Sequence, residues 1–351
     1  MFITLRNLPA RRSLALPTTI VFLCAVTLTA SATSIDIVNR QIDAAPGGKL
    51  VVDVEFGSVS VVAGADDKVA LEANRKINFG DEAKEKEYLA AAPITVTKEG
   101  NVVTVRSRED KKHEPRVGSC QRDATYTLHV PKKFETALRT DGGAIQVSDI
   151  TGNLNAHTSG GRMSFARLEG TLEGDTSGGF IEVEDCHGPI KIKTSGGHIK
   201  VSRGNGVLSA HTSGGRIEVR NFSGDAEVET SGGNLELEKM SGKLVGQTSG
   251  GGIRASLPAP INGDIRLETS AGNIDLSVPA NAGLDIDANT SVGEVVSRLP
   301  IQASDAHREH LRGTLNGGGK SVHLGTLAGN ITIKPLSEEV ANLKESPPRH
   351  E

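Results

Sequence analysis

Thr194-Ser195-Gly196-Gly197-His198-Ile199-Lys200-Val201-Ser202-Arg203-Gly204-Asn205-Gly206-Val207-Leu208-Ser209-Ala210-His211 is one full unit of a repeat, and Thr212-Ser213-Gly214-Gly215 begins the next. The same step of 18 residues separates Thr140, Thr158, Thr176, Thr194, Thr212, Thr230 and Thr248, and each opens a Thr-X-Gly-Gly word. A short fixed period with turn glycines is the signature of a solenoid, each repeat being one coil stacked on the last. Within a coil, the fifth and seventh residues after the Thr are apolar, as in Ile181 and Val183 or Ile217 and Val219. That alternation is a half-buried strand. The twelfth position is Gly152, Gly170, Gly188, Gly206, Gly224 and Gly242, a second turn, and the fourteenth (Leu154, Leu172, Ile190, Leu208) opens a second strand. The reading is an all-β, single-stranded β-solenoid with two strands and two Gly turns per coil.

Parity then places the Thr residues. Positions 14, 16 and 18 share a strand face, so every Thr points inward with the Leu column. A stacked Thr column can satisfy buried turn groups by hydrogen bonding from hydroxyl to backbone or to the next Thr. The motif is therefore read as structural. A β-branched residue at a repeat glycine such as Gly196 is expected to cost on the order of 1–3 kcal/mol through backbone strain. The pattern continues less regularly at Thr269-Ser270-Ala271-Gly272, Thr290-Ser291-Val292-Gly293 and Thr326-Leu327-Ala328-Gly329. Insertions separate these words, and Ala303–Arg312 reads as a short helix in one of them.

The first 32 residues have the layout of a signal peptide. Arg6, Arg11 and Arg12 precede an apolar run from Leu14 to Thr29, and Ala30-Ser31-Ala32 follows as a small-X-small cleavage pattern. Cleavage is expected to leave no transmembrane anchor. It also removes three Arg, taking the formal net charge from −4 to about −7. A chain so acidic, without a basic patch, is a poor partner for nucleic acid. There is no Trp, with 2 Tyr and 8 Phe. A narrow solenoid interior of Ile, Val, Leu and Ala suits that poverty in rings. Cys120 and Cys186 remain after cleavage, and export permits a disulfide. Cys186 sits in the column of Ile150, Leu168, Phe222 and Met240, so a buried apolar role is the favoured reading.

Residues 33–135 are read as an N-terminal β cap and 136–336 as the solenoid. Within the cap, Phe56-Gly57-Ser58-Val59-Ser60-Val61 resembles half a coil, Asp81–Ala91 is a helix, and Glu99-Gly100-Asn101 turns a hairpin. Arg108–Asp123 reads as a charged mobile loop, and Ala124–Pro131 as a strand. The cap would cover an open stack edge. Ser337–Glu351 reads as a disordered tail.

The chain resembles a bacterial family of exported β-strand-repeat proteins known as domains of unknown function or adhesins, akin to the adhesin-head GIN domain. The resemblance is carried by Tyr126-Thr127-Leu128-His129-Val130-Pro131, by the Thr-Ser-Gly-Gly words, and by Leu284-Asp285-Ile286-Asp287-Ala288-Asn289-Thr290-Ser291-Val292-Gly293. It implies a secreted or surface β-solenoid with an adhesive or scaffolding role, and brings no catalytic residues with it.

Nonapeptide β-rolls bind calcium through a third Gly and an Asp after Gly-Gly, but here those positions hold core residues such as Ile217 and Val219. His157 and His211 share an outward column three coils, ~14 Å, apart, too far for one ion. His307 and His310 would meet on a helix but lack a third ligand. No cofactor or metal is expected. The outward carboxylates Glu182, Glu184, Glu218, Glu236 and Glu238 offer the enzyme alternative, a polysaccharide-active β-helix. One column is less bland: Arg162, Phe180, His198 and Arg216 follow the Gly-Gly turn on successive coils. They would form a basic stripe with one ring, fit for an anionic polysaccharide or an acidic strand of a partner. The reading is an exported, non-catalytic binding or scaffolding protein of the periplasm or cell surface, with an envelope polymer or protein as partner. Self-association through the solenoid ends is the structural alternative.

Overall fold

The computed structural model describes residues 33–108 and 121–336. The expected leader, most of the charged segment Arg108–Asp123, Cys120 and the C-terminal tail lie outside the described residues. What is described is a β-solenoid of 27 strands with one helix. In chain order its first elements are β1 (Ser34–Asp43), β2 (Gly48–Val54), β3 (Ser58–Ala63), β4 (Lys68–Asn78), α1 (Glu82–Ala91), β5 (Thr95–Glu99), β6 (Val102–Ser107), β7 (Gln121–Val130), β8 (Phe134–Thr140) and β9 (Ile145–Ser148).

From β8 onward each coil lays one strand on either side of the stack, parallel to its equivalent and in register at the repeat step. Leu154 to Thr158 face Leu172 to Thr176, and Met163 to Ala166 face Ile181 to Glu184. In two coils the strand runs on through the corner, over Ile199–Thr212 and Ile217–Thr230. The core is the column set anticipated above, and Ile145, Met163, Ile181, Ile217 and Leu235 are fully buried. Where a ring enters, its neighbours are small. A Cβ on Gly204 would lie 3.1 Å from ring atoms of Phe222, and one on Gly174 would lie 3.1 Å from Phe165. Cys186 belongs to the same column as Phe222 and is a buried free thiol. Burial pushes that thiol up to about 11. At pH 8 this alone cuts the thiolate about 100-fold. In a Cys24→Ser, Cys120→Ser chain, a thiol reagent at pH 8 will therefore label Cys186 at least 100-fold more slowly in the native protein than in denaturant. Equal rates would mean that the column opens.

The ends are woven out of chain order. The coil formed by β2 and β3 is inserted between that of β6 and β7 and that of β8 and β9. The fragment around Phe56 is thus a full coil inside the stack. Outside β6 and β7, β5 pairs with β6, β4 with β7, and β1 with β4, all antiparallel. The helix forms as expected, with Asp81 as its N-cap accepting from the backbone of Ala83 and Lys84. Buried Arg75 fastens its other end, donating to the Ala92 carbonyl, to Ser107 and to Asp36. Glu99 and Val102 close the expected hairpin. Arg108 does not join a free loop: it pairs with Asp53 at 3.0 Å and with Asp141 at 2.8 Å. Gln121 to Asp123 are already part of β7.

The far end repeats the device. Strands Lys320–Ala328 and Ile331–Pro335 pack on Ile265–Ala271 and Ile274–Val278. The earlier coil, Leu284–Val292 with Val295–Ser297, lies outside them. The helix expected at Ala303–Arg312 is not formed. Gln302–His307 and His310–Leu315 make an antiparallel hairpin, with His310–Leu315 paired to Leu284–Asn289. An unpaired strand edge offered a row of backbone bonds that outweighs local helical preference. His307 and His310 accordingly face each other across the hairpin and not along a helix.

Candidate functional site

The Thr-Ser-Gly-Gly word is tied to the preceding coil through both backbone and hydroxyl. Ser195 and Gly196 both donate to the Ser177 carbonyl one coil back, at 3.1 and 3.0 Å. Gly197 donates to the Thr194 hydroxyl at 3.2 Å, and that hydroxyl donates to the Gly179 carbonyl at 3.0 Å. The scheme runs through Thr140, Thr158, Thr176, Thr212, Thr230 and Thr248, with hydroxyl-to-carbonyl distances of 2.8–3.2 Å. Thr326 reaches back to Gly272 and Thr290 to Gly329, so the ladder follows spatial and not chain order. The ladder runs from hydroxyl to backbone, not from Thr to Thr.

This edge carries the stripe. The Arg162 guanidinium stands 4.9 Å from the Phe180 ring centroid. The next two members also meet: the Arg216 backbone N–H donates to His198 Nδ1 at 2.9 Å. Asn234 and Asn273 do the same for Gly252 and Asn330 with their side-chain oxygens. His198 thus fills a backbone-capping role that asparagine fills further along. Arg216 is pulled toward Glu236, 3.4 Å away. The four residues are adjacent, as the spacing required, but they make two pairs, and only the Arg162 end presents a cation with no carboxylate partner among the described residues.

The outward carboxylates are similarly engaged. Glu182 pairs with Lys200 at 3.2 Å, Glu184 with Arg203, and Glu218 with Arg220 at 2.8 Å. Glu238 shares Arg220 at 3.5 Å. Each of the five therefore faces a cation. His211 leans on Glu229 at 3.3 Å, and His310 lies 3.3 Å from both Asp287 and Asp305. Among the described residues no group of three or more His, Cys, Asp or Glu is placed to hold a metal ion.

Sequence reading missed one column. The ninth residue of successive coils, Asp149, Arg167, Asp185, Arg203, Asn221 and Lys239, is held at φ 65, 52, 55, 53, 53 and 53. Left-handed backbone is tolerated by Asp and Asn but costly for Arg and Lys, and here it turns the corner between the two strands. Arg167 grips Asp149 through two nitrogens, at 2.6 and 2.8 Å, which holds the Asp149 carboxyl below its usual range. The alternation of acid and base at the repeat step was the signal available in the sequence.

Stacked parallel coils with a hydroxyl ladder at one turn and a left-handed corner at the other define a β-solenoid repeat protein. The chain belongs to the Toastrack DUF4097 family, whose model matches residues 48–334. No curated relative matches it by sequence. Among solved structures it is similar to a "putative adhesin" of Bacteroides fragilis NCTC 9343, at 14% identity over 86% of this chain and 97% of that one, with a TM-score of 0.33. It is similar also to a "putative cell adhesion protein" of Clostridium sporogenes ATCC 15579, at 12% identity over 86% and 100%, with a TM-score of 0.22. A third is a "putative lipid binding protein" of Parabacteroides distasonis ATCC 8503, at 11% over 86% and 97%, with a TM-score of 0.27. No helix among the described residues is long and apolar enough to cross a membrane.

Proposed function

We propose that this is an exported, non-catalytic envelope protein that holds an extended anionic polymer against the turn edge of its solenoid. The observation that carries the reading is the Arg162 guanidinium stacked on Phe180 at 4.9 Å. A stacked guanidinium keeps its hydrogen-bonding edge free for a carboxylate or phosphate. The turn beneath it is anchored by the Thr158 hydroxyl, which accepts from the Gly161 N–H and donates to the Gly143 carbonyl. Family membership supports a repeat scaffold, and the paired state of all five outward carboxylates favours binding over glycoside hydrolysis.

The test is retention of fractionated envelope, polymer and protein together, on the immobilised chain beginning at Thr33. An Arg162→Ala, Arg216→Ala variant and a Phe180→Ala variant run alongside. Expected is a retained anionic polymer that the double variant loses by at least tenfold and Phe180→Ala weakens, with thermal melting of the double variant unchanged. Undiminished retention by the double variant would remove the stripe as the site. Turnover of the retained polymer would replace binding with the enzyme alternative.

A further inference from the structure

We propose that two copies of this chain join through β1, edge to edge and antiparallel about Val38, so that two solenoids share one continuous sheet. β1 is the outermost strand on its side of the stack. It spans ten residues from Ser34 to Asp43 and, among the described residues, pairs only with β4. It contains no proline, and its pairing with β4 runs without a register shift. The opposite end of the molecule is guarded. Its outer hairpin strand Gln302–His307 carries a register irregularity between Ala303 and Asp305, and the neighbouring edge strand Val295–Ser297 has only three residues. Bulges and short strands are how sheets block further pairing. β1 has neither.

The backbone is set for it. The Ala44 N–H donates to the Asp67 carbonyl, continuing the β1–β4 register. Bonds of an antiparallel ladder recur at alternate residues. From Asp36 to Ile42 the even-numbered residues of β1 therefore bond to β4, while the Ser34 N–H donates to Glu85, and Ile35, Ile37, Asn39 and Gln41 turn their N–H and C=O groups to the open side.

The side chains choose the partner. Asp36, Val38 and Arg40 share one face, with Asp36 and Arg40 placed evenly about Val38. In a two-fold antiparallel pair centred on Val38, Asp36 of each copy faces Arg40 of the other, twice over, and Val38 meets itself. Both groups have capacity to spare. Asp36 uses only Oδ2, toward Arg75. Arg40 is exposed, makes no ion pair among the described residues, and bonds only the Asn39 carbonyl beside it. On the other face, Ile35 and Ile37 are 57% and 64% exposed. The same register brings Ile37 of the two copies into diagonal contact, within reach of each other across the new seam. An isologous contact must be self-complementary, and this strand is so in charge, in apolar contact and in backbone. The seam lies at the far end of the sheet from the hairpin and does not involve the turn stripe.

Sedimentation equilibrium on the full chain, purified after export from an expressing host, tests this. A reversible dimer is expected. Arg40→Glu places like charges across the seam, and Ile37→Pro removes one donor that faces the open side. Each will raise the dimer dissociation constant at least tenfold while leaving the circular dichroism and melting of the monomer unchanged. Val38→Cys will form a disulfide-linked dimer under mild oxidation, and Ile42→Cys will not. A chain that stays monomeric up to about 100 µM overturns the proposal; slow amide exchange in β1 of that monomer would give the edge to another segment of the same chain. A dimer indifferent to both variants overturns it as well, placing the contact elsewhere.

Discussion

Gly197→Ala will cost more than about 4 kcal/mol, while Gly196→Ala, one residue earlier in the same turn, will change stability by no more than about 0.5 kcal/mol. The two glycines are adjacent in a word repeated along the chain, and sequence alone treats them alike. Their surroundings differ. A Cβ on Gly197 would sit 1.8 Å from the Gly179 carbonyl oxygen and 2.5 Å from its carbon. Both are backbone atoms of the preceding coil, held there by the ladder, so relief requires two coils to part. A Cβ on Gly196 meets nothing nearer than the Ser177 carbonyl oxygen at 4.0 Å, and its φ lies outside the left-handed range. The strain expected at Gly196 is thus corrected: the constraint is steric, it acts along the stack, and it falls on the second glycine. Column neighbours repeat the contact, with 1.8 Å at Gly179 and Gly215 and 1.9 Å at Gly233. Urea unfolding of the two alanine variants checks the difference. At about 2–4 °C per kcal/mol for a chain of this size, the melting point should fall by about 10 °C at Gly197. Equal melting would show that the coils shift freely along the axis.

The period made the fold legible because a solenoid is nearly one-dimensional: the residue one coil on is the residue that packs. Thr parity, the core columns and the adjacency of Arg162 to Phe180 all follow from that rule. What escaped lies where contact and sequence step part company. At the ends, β2 and β3 enter between strands that come later in the chain, and the coil at Thr290 lies outside the coil at Thr326. Identical Thr words give no ranking between those arrangements. The local composition of Ala303–Arg312 favours a helix, yet its state is decided by the vacant edge of Leu284–Val292. In the stripe, residue types and spacing gave the positions. The charge of Arg216 is compensated by Glu236, which lies on the next coil but two positions along, a diagonal that a column-by-column reading does not follow. His198 looked like a cation on a surface, and the structure uses its Nδ1 as a backbone acceptor.

Thr212→Val will destabilise the protein by about 2–4 kcal/mol, and Thr212→Ser by about 1 kcal/mol. Valine keeps the shape and β-branching of threonine but removes the hydroxyl that links two coils. The Gly197 carbonyl, at 2.9 Å, and the Gly215 N–H, at 3.2 Å, are left without that partner. Both bonds are buried, and each unsatisfied group costs about 1–3 kcal/mol. Serine keeps both bonds and loses one methyl, worth about 0.8 kcal/mol. If the column served only as packing, the order would invert, with valine neutral and serine the poorer substitute. Chemical denaturation of the two variants decides between these accounts. A second comparison reaches the ladder itself. Thr212 accepts from Gly215, and Thr230 donates to the same residue's carbonyl at 2.9 Å. The Thr212→Val, Thr230→Val double variant strips Gly215 of both partners, whereas Thr158 and Thr230 share no glycine. Contacting sites couple and distant ones add. The first pair will therefore depart from additivity by more than about 0.5 kcal/mol and the second will not. The coils would then be joined by a connected run of turn bonds and not by independent ones.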